Sequence, residues 1–417
     1  MKIASEVHMY GLIGEKLGHS YSVLIHQLLT NHAYQYELIE LSQDSLGSFL
    51  ERKSFEGLNV TIPYKKTVIP FLKGISPEAE KIGSVNTILS KPEGLFGYNT
   101  DYAGFLYMAK RAGVHFSGKK VLIMGTGGTS AAVCAAVKDH GARDIIVVSR
   151  SGQVNYQNLD VHHDSQIIIN TTPVGMYPHN GETLIDLEDF PDCEGVLDVI
   201  YNPLYTNLVL QAREKKLAFG GGLVMLTAQA KYASDLFLNQ KADDSIIDVT
   251  VEQMIHRIQN IVFIGMPGCG KSTIGKAIAE LTGRKFIDTD IEIVHRAGKE
   301  ISKIFSDDGE SVFRRFERDV IQEKGKENSL VISTGGGAVL DKKNRMALRQ
   351  NGKVIFLERN VDALSMEGRP LSINQAGLSQ MYQYRLPFYE DCCDERVIND
   401  HLIDITIQEI MQKLEKK

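Results

Sequence analysis

The chain reads as α/β throughout, and three observations carry that reading. Apolar strand-like runs alternate with helical stretches along the whole sequence, the pattern of parallel sheets joined by crossover helices. A glycine turn, Gly125-Thr126-Gly127-Gly128, ends the apolar run Lys120–Met124 and opens an alanine-rich helix over Ser130–Lys138. A second strand-to-helix junction, Gly265 to Thr273, follows Ile261-Val262-Phe263-Ile264 and leads into a helix from Ile274. A chain of 417 residues is expected to form two or three domains, each large enough for its own core. The punctuation suggests residues 1–105, joined again by returning helices near 223–258, then 106–222, then 259–417.

Bulk composition narrows the function classes. With 43% apolar and 24% charged residues the chain is an ordinary globular protein. A net charge of −6 argues against nucleic-acid partners, whose phosphate backbones demand clustered positive charge. Small anions remain open, because they need only local Lys and Arg. No stretch approaches the ~20 apolar residues of a membrane span, so no membrane partner is expected. No basic-then-apolar segment marks a secretory signal. Five cysteines, odd in number and without metal spacing, suggest a reducing cytoplasm. Cys269 and the adjacent Cys392-Cys393 are read as incidental.

The first block is a series of short motifs punctuated by glycine and asparagine. In the second, Gly125, Gly127 and Gly128 sit between a strand and a helix, and the strand Ile145–Ser149 arrives about twenty residues later, the spacing of a Rossmann βαβ unit. Ser130 stands where the fingerprint has its third glycine. An NAD site would place an acidic residue at the end of that second strand. This chain has Ser149-Arg150-Ser151, a cation flanked by hydroxyls, which suits the 2′-phosphate of NADP(H). About fifteen residues separate Arg150 from the strand Ile167–Ile169, so the helix after the second strand is expected to be reduced or absent. Thr250–Ile258 form an amphipathic helix with Val251, Met254, Ile255 and Ile258 on one face, and the next strand follows almost at once. In the third block, Gly265, four residues, then Gly270-Lys271-Ser272 has the phosphate-loop spacing. There Gly268, Gly270, Lys271, Ser272 and Thr273 cradle the phosphates of a nucleoside triphosphate such as ATP.

Six strings in order make the first 258 residues resemble shikimate dehydrogenase. They are Gly11-Leu12-Ile13-Gly14 running into His19-Ser20-Tyr21-Ser22, then Asn59-Val60-Thr61-Ile62-Pro63-Tyr64-Lys65, Ser84-Val85-Asn86-Thr87, Gly97-Tyr98-Asn99-Thr100-Asp101, Asn170-Thr171-Thr172-Pro173-Val174-Gly175-Met176, and Met225-Leu226-Thr227-Ala228-Gln229-Ala230. The resemblance implies an α/β substrate domain followed by a Rossmann NADP domain. It implies that Lys65 and Asp101 are the catalytic pair: reducing a ring ketone needs a proton donor or polarising cation at oxygen and a carboxylate to position it. Which of the two transfers the proton stays open. By the same resemblance Ser20, Ser22, Thr61, Asn86, Asp101 and Gln229 hold dehydroshikimate or shikimate, Tyr201 lies near the substrate, and Thr171 meets the cofactor. Val23 stands where the family usually has proline, and no second basic residue follows Arg150 within Ser151–Asn158.

The last block resembles shikimate kinase, a P-loop NTPase fold akin to nucleoside monophosphate kinases. Beyond the phosphate loop the resemblance rests on Phe286-Ile287-Asp288-Thr289-Asp290, Gly309-Glu310-Ser311-Val312-Phe313-Arg314, Thr334-Gly335-Gly336-Gly337, Gly368-Arg369-Pro370-Leu371, and Tyr384-Arg385 ahead of Tyr389. It implies that Lys271 reaches the β- and γ-phosphates, that Ser272 and Asp288 hold Mg2+ (Asp288 through water), and that Asp290 binds the acceptor hydroxyls as candidate base. Arg314 and Arg385 would clamp the shikimate carboxylate, Gly336 and Gly337 would let backbone approach the ring, and Arg369 would be the lid arginine. Adenine contacts are unassigned; Arg396 is the one candidate in the C-terminal stretch.

Both halves point to one metabolite, since the product of the first is the acceptor of the second. The expected protein is a bifunctional enzyme that reduces 3-dehydroshikimate with NADPH and phosphorylates shikimate with ATP and Mg2+. A non-enzymatic sensor built on the same folds would be expected to have lost Lys65, Asp101, Lys271, Ser272, Asp288 or Asp290, and all six are present. A catabolic quinate/shikimate dehydrogenase using NAD is disfavoured by Arg150 and by the kinase block.

Overall fold

The computed structural model describes residues 9–18, 20–364 and 375–415. His19 of the first motif and the Gly368–Leu371 string, with Arg369, lie outside the described residues. Two compact units are present: one from residues up to Met176 and from Glu182 to Ile255, the other from Tyr177–Gly181 and from His256 onward. Among the described residues no helix is long and apolar enough to cross a membrane, and all five cysteines are free.

The first unit holds two sheets. Strands β1 (Met9–Gly14), β2 (Gln35–Glu40), β3 (Gly57–Val60), β4 (Gly74–Ile75), β5 (Thr87–Lys91) and β6 (Gly94–Tyr98) form one, in the order β2-β1-β3-β5-β6-β4. β1 runs parallel to β2 and β3, while β5 pairs antiparallel with β3 and β6. Side chains alternate across β1 as the pleat requires: Tyr10 and Leu12 join a cluster with Tyr36 and Phe237, while Ile13 joins Leu46, Leu50 and Ile88 on the other face. The helix Gly222–Leu238 returns from later in the chain and packs on the helices Ser22–Thr30 and Asp101–Ala112. Gly104 makes that return possible, because a Cβ there would lie 2.9 Å from both the Gln229 Cβ and the Met225 carbonyl oxygen.

The second sheet is wholly parallel, ordered β11-β10-β9-β7-β8, from β7 (Lys120–Met124), β8 (Asp144–Val148), β9 (Ile167–Asn170), β10 (Gly195–Asp198) and β11 (Ala218–Gly220). β8 lies on one side of β7 and β9 on the other, so a crevice opens at the carboxyl ends of β7 and β9. No α-helix follows β8. The chain makes a single bridge between Val148 and Val154 and one 3-10 turn, Leu159–His162, before entering β9. This connection is almost as long as the one that carries the helix Gly128–Asp139 between β7 and β8, so its length is not what removes the helix.

The second unit carries a third parallel sheet, ordered β13-β14-β12-β15-β16, from β12 (Asn260–Ile264), β13 (Lys285–Asp288), β14 (Leu330–Ser333), β15 (Gly352–Glu358) and β16 (Glu395–Ile398). Every residue of β12 is buried, as a central strand covered on both faces must be. Fully burying each Val, Ile or Phe there contributes roughly 1.5–3 kcal/mol. The amphipathic helix spans Ser245–Ile258, with Val251, Met254 and Ile258 buried, and β12 begins at Asn260.

Candidate active sites

In the first unit the separate motifs of the sequence meet. Lys65 Nζ lies 2.5 Å from Asp101 Oδ2, and their side chains are only 13% and 8% exposed. Asp101 is the first residue of the helix Asp101–Ala112, where the helix dipole favours a carboxylate. Asn99 fixes that helix start: its Oδ1 accepts from Tyr102 N at 3.3 Å, and its Nδ2 donates to Ser84 O at 2.8 Å. Asn86 joins the strings. Its Nδ2 donates to Asp101 Oδ1 at 2.9 Å and to Gln229 Oε1 at 3.3 Å, and its Oδ1 accepts from Thr100 N at 2.7 Å. Behind Asn86 runs a buried chain that sequence reasoning missed. Thr87 Oγ1 donates to Asn86 Oδ1 at 3.0 Å, Asn59 Nδ2 to Thr87 Oγ1 at 3.1 Å, and Tyr36 OH to Asn59 Oδ1 at 2.7 Å. Asn59 and Thr87 lie inside quoted strings, so proximity to the motif was their only sequence signal.

Ser20 Oγ donates to Ser22 Oγ at 3.0 Å and also accepts from Ser22 N, making a tight hydroxyl pair at the start of the helix Ser22–Thr30. Thr61 follows β3, with its N–H on Ile13 O of β1. The Tyr201 ring meets Tyr21 with centroids 5.4 Å apart, and burial holds its phenol above the usual range. Tyr201 makes no hydrogen bond to the Lys65–Asp101 group among the described residues, so it flanks that group rather than joining it.

The dinucleotide turn lies beside this pair. Lys65 Nζ is 3.5 Å from Thr129 Oγ1, on the helix Gly128–Asp139 that the turn opens. Gly127 is the N-cap, so the first N–H groups of that helix are free to meet an anion. Ser130 has a structural role of its own, donating to Gly125 O at 2.7 Å and closing the turn that a third glycine would otherwise shape. Thr171, at the end of β9, donates to Met124 O at 2.6 Å across the crevice. Ser149 and Arg150 follow β8, Arg150 is exposed, and its charge acts on Tyr156, which lies after the same strand. These residues fit a nicotinamide dinucleotide phosphate: a helix N-terminus for the pyrophosphate and a free guanidinium for a 2′-phosphate.

In the second unit the phosphate loop, Gly265–Gly270, enters the helix Lys271–Thr282. Lys271 Nζ donates to the Gly265 and Met266 carbonyls, both at 2.9 Å. Ser272 Oγ donates to Asp288 Oδ2 at 2.6 Å, while Asp288 Oδ1 accepts from Asp290 N and caps the helix Thr289–Ala297. Ser333, at the end of β14, lies 3.2 Å from Ser272 Oγ and was missed in the sequence. A hydroxyl and a carboxylate in contact form the hard oxygen set that Mg2+ prefers, so Ser272 and Asp288 fit that ion.

One cleft is lined by Gly268, Gly270, Lys271, Ser272 and Thr273 together with Asp288, Asp290, Arg314, Gly336, Gly337 and Arg385. Burial raises the Asp290 carboxyl, aided by the neighbouring Asp288 charge, and its Oδ1 has no hydrogen-bond partner. Arg314 is not free: it bonds Glu317 Oε2 at 2.8 Å and Glu310 Oε1 at 3.0 Å. Glu317, 1% exposed and held up by burial, is a charged residue of the cleft absent from the sequence reading. Its place three residues after Arg314 on one helix was the available signal. Arg385 is buried, its Nε unpartnered, close enough to Tyr389 and Glu317 to act on both.

The glycines have a reason within the protein itself, beside the expected one. A Cβ at Gly336 would meet the Pro267 ring at 2.5 Å, and one at Gly337 would meet Arg314 Nη1 at 2.6 Å. It is the protein's own side chains that fill the space. Arg396 is forked onto Glu358 with both bonds 2.7 Å and reaches Glu390. Asn399, with no sequence signal at all, donates to the phosphate-loop carbonyl of Cys269 at 2.8 Å.

Comparison with known proteins agrees with this division. Residues 12–88 match the family model of the shikimate dehydrogenase substrate binding domain, and residues 267–415 match that of shikimate kinase. A shikimate dehydrogenase (NADP(+)) of Clostridium perfringens (strain SM101 / Type A) is 35% identical over 265 residues, covering 59% of this chain and 98% of its own. Among solved structures, a chorismate mutase/shikimate 5-dehydrogenase fusion protein from Clostridium acetobutylicum matches with a TM-score of 0.57 at 37% identity, over 60% of this chain and 97% of that one. The shikimate 5-dehydrogenase of Thermus thermophilus, in complex with NADP(H) and shikimate, gives 0.54 at 28% identity, over 59% and 99%.

Proposed function

Because the chain belongs to the shikimate dehydrogenase family over its first part and carries a shikimate kinase domain after it, we propose that it catalyses two consecutive reactions on one cyclohexene acid. The first reduces 3-dehydroshikimate to shikimate and the second phosphorylates the 3-hydroxyl of shikimate. Residues 1–105 with 223–258 form the substrate domain of the reductase, 106–222 its NADP(H) domain, and 259–417 the kinase. The supporting observation is the joining, in one polypeptide, of a Lys65–Asp101 pair beside a dinucleotide turn with a phosphate-loop cleft that holds Asp290, Arg314 and Arg385.

In the reductase, NADPH supplies the hydride. Lys65 and Asp101 hold the ketone oxygen and deliver the proton that completes the alcohol, while Asn86, Gln229, Ser20, Ser22 and Thr61 offer hydrogen bonds to the ring hydroxyls and carboxylate. The buried environment of Tyr201 keeps its phenol neutral and able to donate. In the kinase, Mg-ATP supplies the phosphoryl group. Asp290 takes the proton of the attacking hydroxyl, a role suited to a carboxylate raised by burial. Arg314, fixed by Glu317, and Arg385 receive the carboxylate of the acceptor, Lys271 turns from the loop carbonyls to the phosphates, and Arg369 covers them.

The test is direct. Purified protein incubated with dehydroshikimate, NADPH, Mg2+ and ATP should yield shikimate 3-phosphate with one NADPH and one ATP consumed per molecule. Shikimate accumulating without phosphorylation, or no oxidation of NADPH, would reject the corresponding half. NADPH should be preferred to NADH, and comparable efficiency with both would remove the role given to Arg150.

A further inference from the structure

Among the described residues, the kinase cleft holds one cation that the motif strings do not assign. Arg359 lines it together with the phosphate loop, Met381 and Arg385. Its Nε is buried without a hydrogen-bond partner, and among the described residues its guanidinium makes no ion pair. An arginine ordinarily carries its head to water or to a carboxylate, so a buried unpartnered donor at the wall of a cleft calls for an anionic ligand.

Its position says which anion. Arg359 follows β15, which pairs with the phosphate-loop strand β12 in the register Ile264↔Phe356. The two chains still touch one residue on, where a Cβ on Gly265 would lie 2.3 Å from Leu357 O. The residues on either side of Arg359 are locked. Glu358 O accepts from Asn399 N at 2.7 Å, the Glu358 carboxylate is taken by Arg396 and Tyr382, and Asn360 N donates to Asp400 Oδ1 at 2.9 Å. Asn399, part of this clamp, also bonds Cys269 O of the phosphate loop. The backbone of Arg359 is thereby tied to the loop through one asparagine, and its guanidinium is the part left to move. Arg314 and Arg385, by contrast, belong with Glu317 on the acceptor side.

We infer that Arg359 contacts the phosphate oxygens of the nucleoside triphosphate in the kinase cleft. This rests on the kinase reading above and deepens it. A planar fork of donors suits two phosphate oxygens, and it would steady them beside Lys271.

The experiment uses the full chain with Arg359→Ala and Arg359→Lys, titrated calorimetrically with ATP, AMP and inorganic tripolyphosphate. Alanine should weaken ATP and tripolyphosphate by about tenfold or more, the size of one charge-assisted hydrogen bond, and leave AMP within about twofold. Lysine should recover part of the loss for both polyphosphates. The KM for shikimate should stay within about twofold, which together with retained AMP binding reports that the kinase unit has folded, and NADPH-dependent reduction should be unchanged. Equal losses for AMP and ATP with tripolyphosphate binding unchanged would make Arg359 a base contact. Unchanged polyphosphate binding, or a loss confined to shikimate, would overturn the assignment too. Failure of the unmutated protein to bind ATP would instead defeat the kinase reading itself.

Discussion

Asp198, the last residue of β10, is a fully buried carboxylate with no cation beside it among the described residues. It is held by neutral donors: Ile200 N at 3.0 Å, Thr206 Oγ1 at 2.7 Å, and Asn170 Nδ2 at 3.1 and 3.2 Å to its two oxygens. Burial dominates and raises its pKa from 3.8 to about 6, with the hydrogen bonds opposing. A folded-state pKa above the unfolded one means that the native protein binds the extra proton. The stabilising effect is therefore complete below about pH 4 and is lost as the pH rises through about 6. Roughly two pKa units correspond to about 3 kcal/mol at most. Asp198→Asn should resemble the wild type near pH 4 and become relatively more stable towards neutrality. Urea unfolding of both proteins across that range measures the difference, and parallel pH profiles would reject the assignment. The consequence reaches function, because Asp198 joins the Asn170 and Tyr201 segments.

At the scale of elements, the helix pair Asp101–Ala112 and Gly222–Leu238 decides whether the substrate residues converge. Gly104→Ala gives the first helix a better helix former, worth up to about 1 kcal/mol. It also forces a Cβ into Gln229 and a backbone carbonyl, and overpacking of this kind costs about 1–3 kcal/mol. The helices should separate slightly and draw Gln229 away from Asn86, now 3.3 Å apart. KM for dehydroshikimate should rise while KM for NADPH holds, as steady-state kinetics would register; an unchanged KM would show that the contact is dispensable. The strand and helix at each glycine junction were legible because hydrophobic runs and glycine turns are local signals. The absence of a helix after β8 matches the expectation, but counting residues does not explain it, since the almost equally long connection before β8 carries one. What stayed hidden was non-local. Gln229 reaches Asn86 only through a helix that returns from more than a hundred residues away, and Asn399 reaches the phosphate loop from a strand at the far edge of its sheet. Glu317 was within reach as the i+3 neighbour of Arg314, whereas the glycines of Gly335–Gly337 carried their signal but not the reason within the protein itself.

For the whole molecule, the central physical fact is two compact units with separate cores and separate sites. Lesions should then act on one reaction at a time. Lys65→Ala should cut reduction by about 10²–10⁴-fold, the usual worth of a positioned acid–base group, because it breaks the pair proposed to deliver the proton, with phosphorylation nearly intact. Lys271→Ala should stop phosphorylation and spare reduction. Activity alone leaves an ambiguity, because a variant that unfolds one unit resembles one that loses a single group. Ligand-linked unfolding separates the two. A ligand at about a hundred times its Kd stabilises the unit that binds it by about 2.7 kcal/mol, enough to move a transition of that size by several degrees. In calorimetric scans NADPH should raise one transition and Mg-ATP another. Lys65→Ala should keep the NADPH-induced shift, since Lys65 is proposed to act at the ketone oxygen and not to hold the dinucleotide, whereas Lys271→Ala should lose most of the ATP-induced shift. If either ligand raised both transitions equally, the units would unfold as one cooperative body, and a lesion in one site would be expected to reach the other.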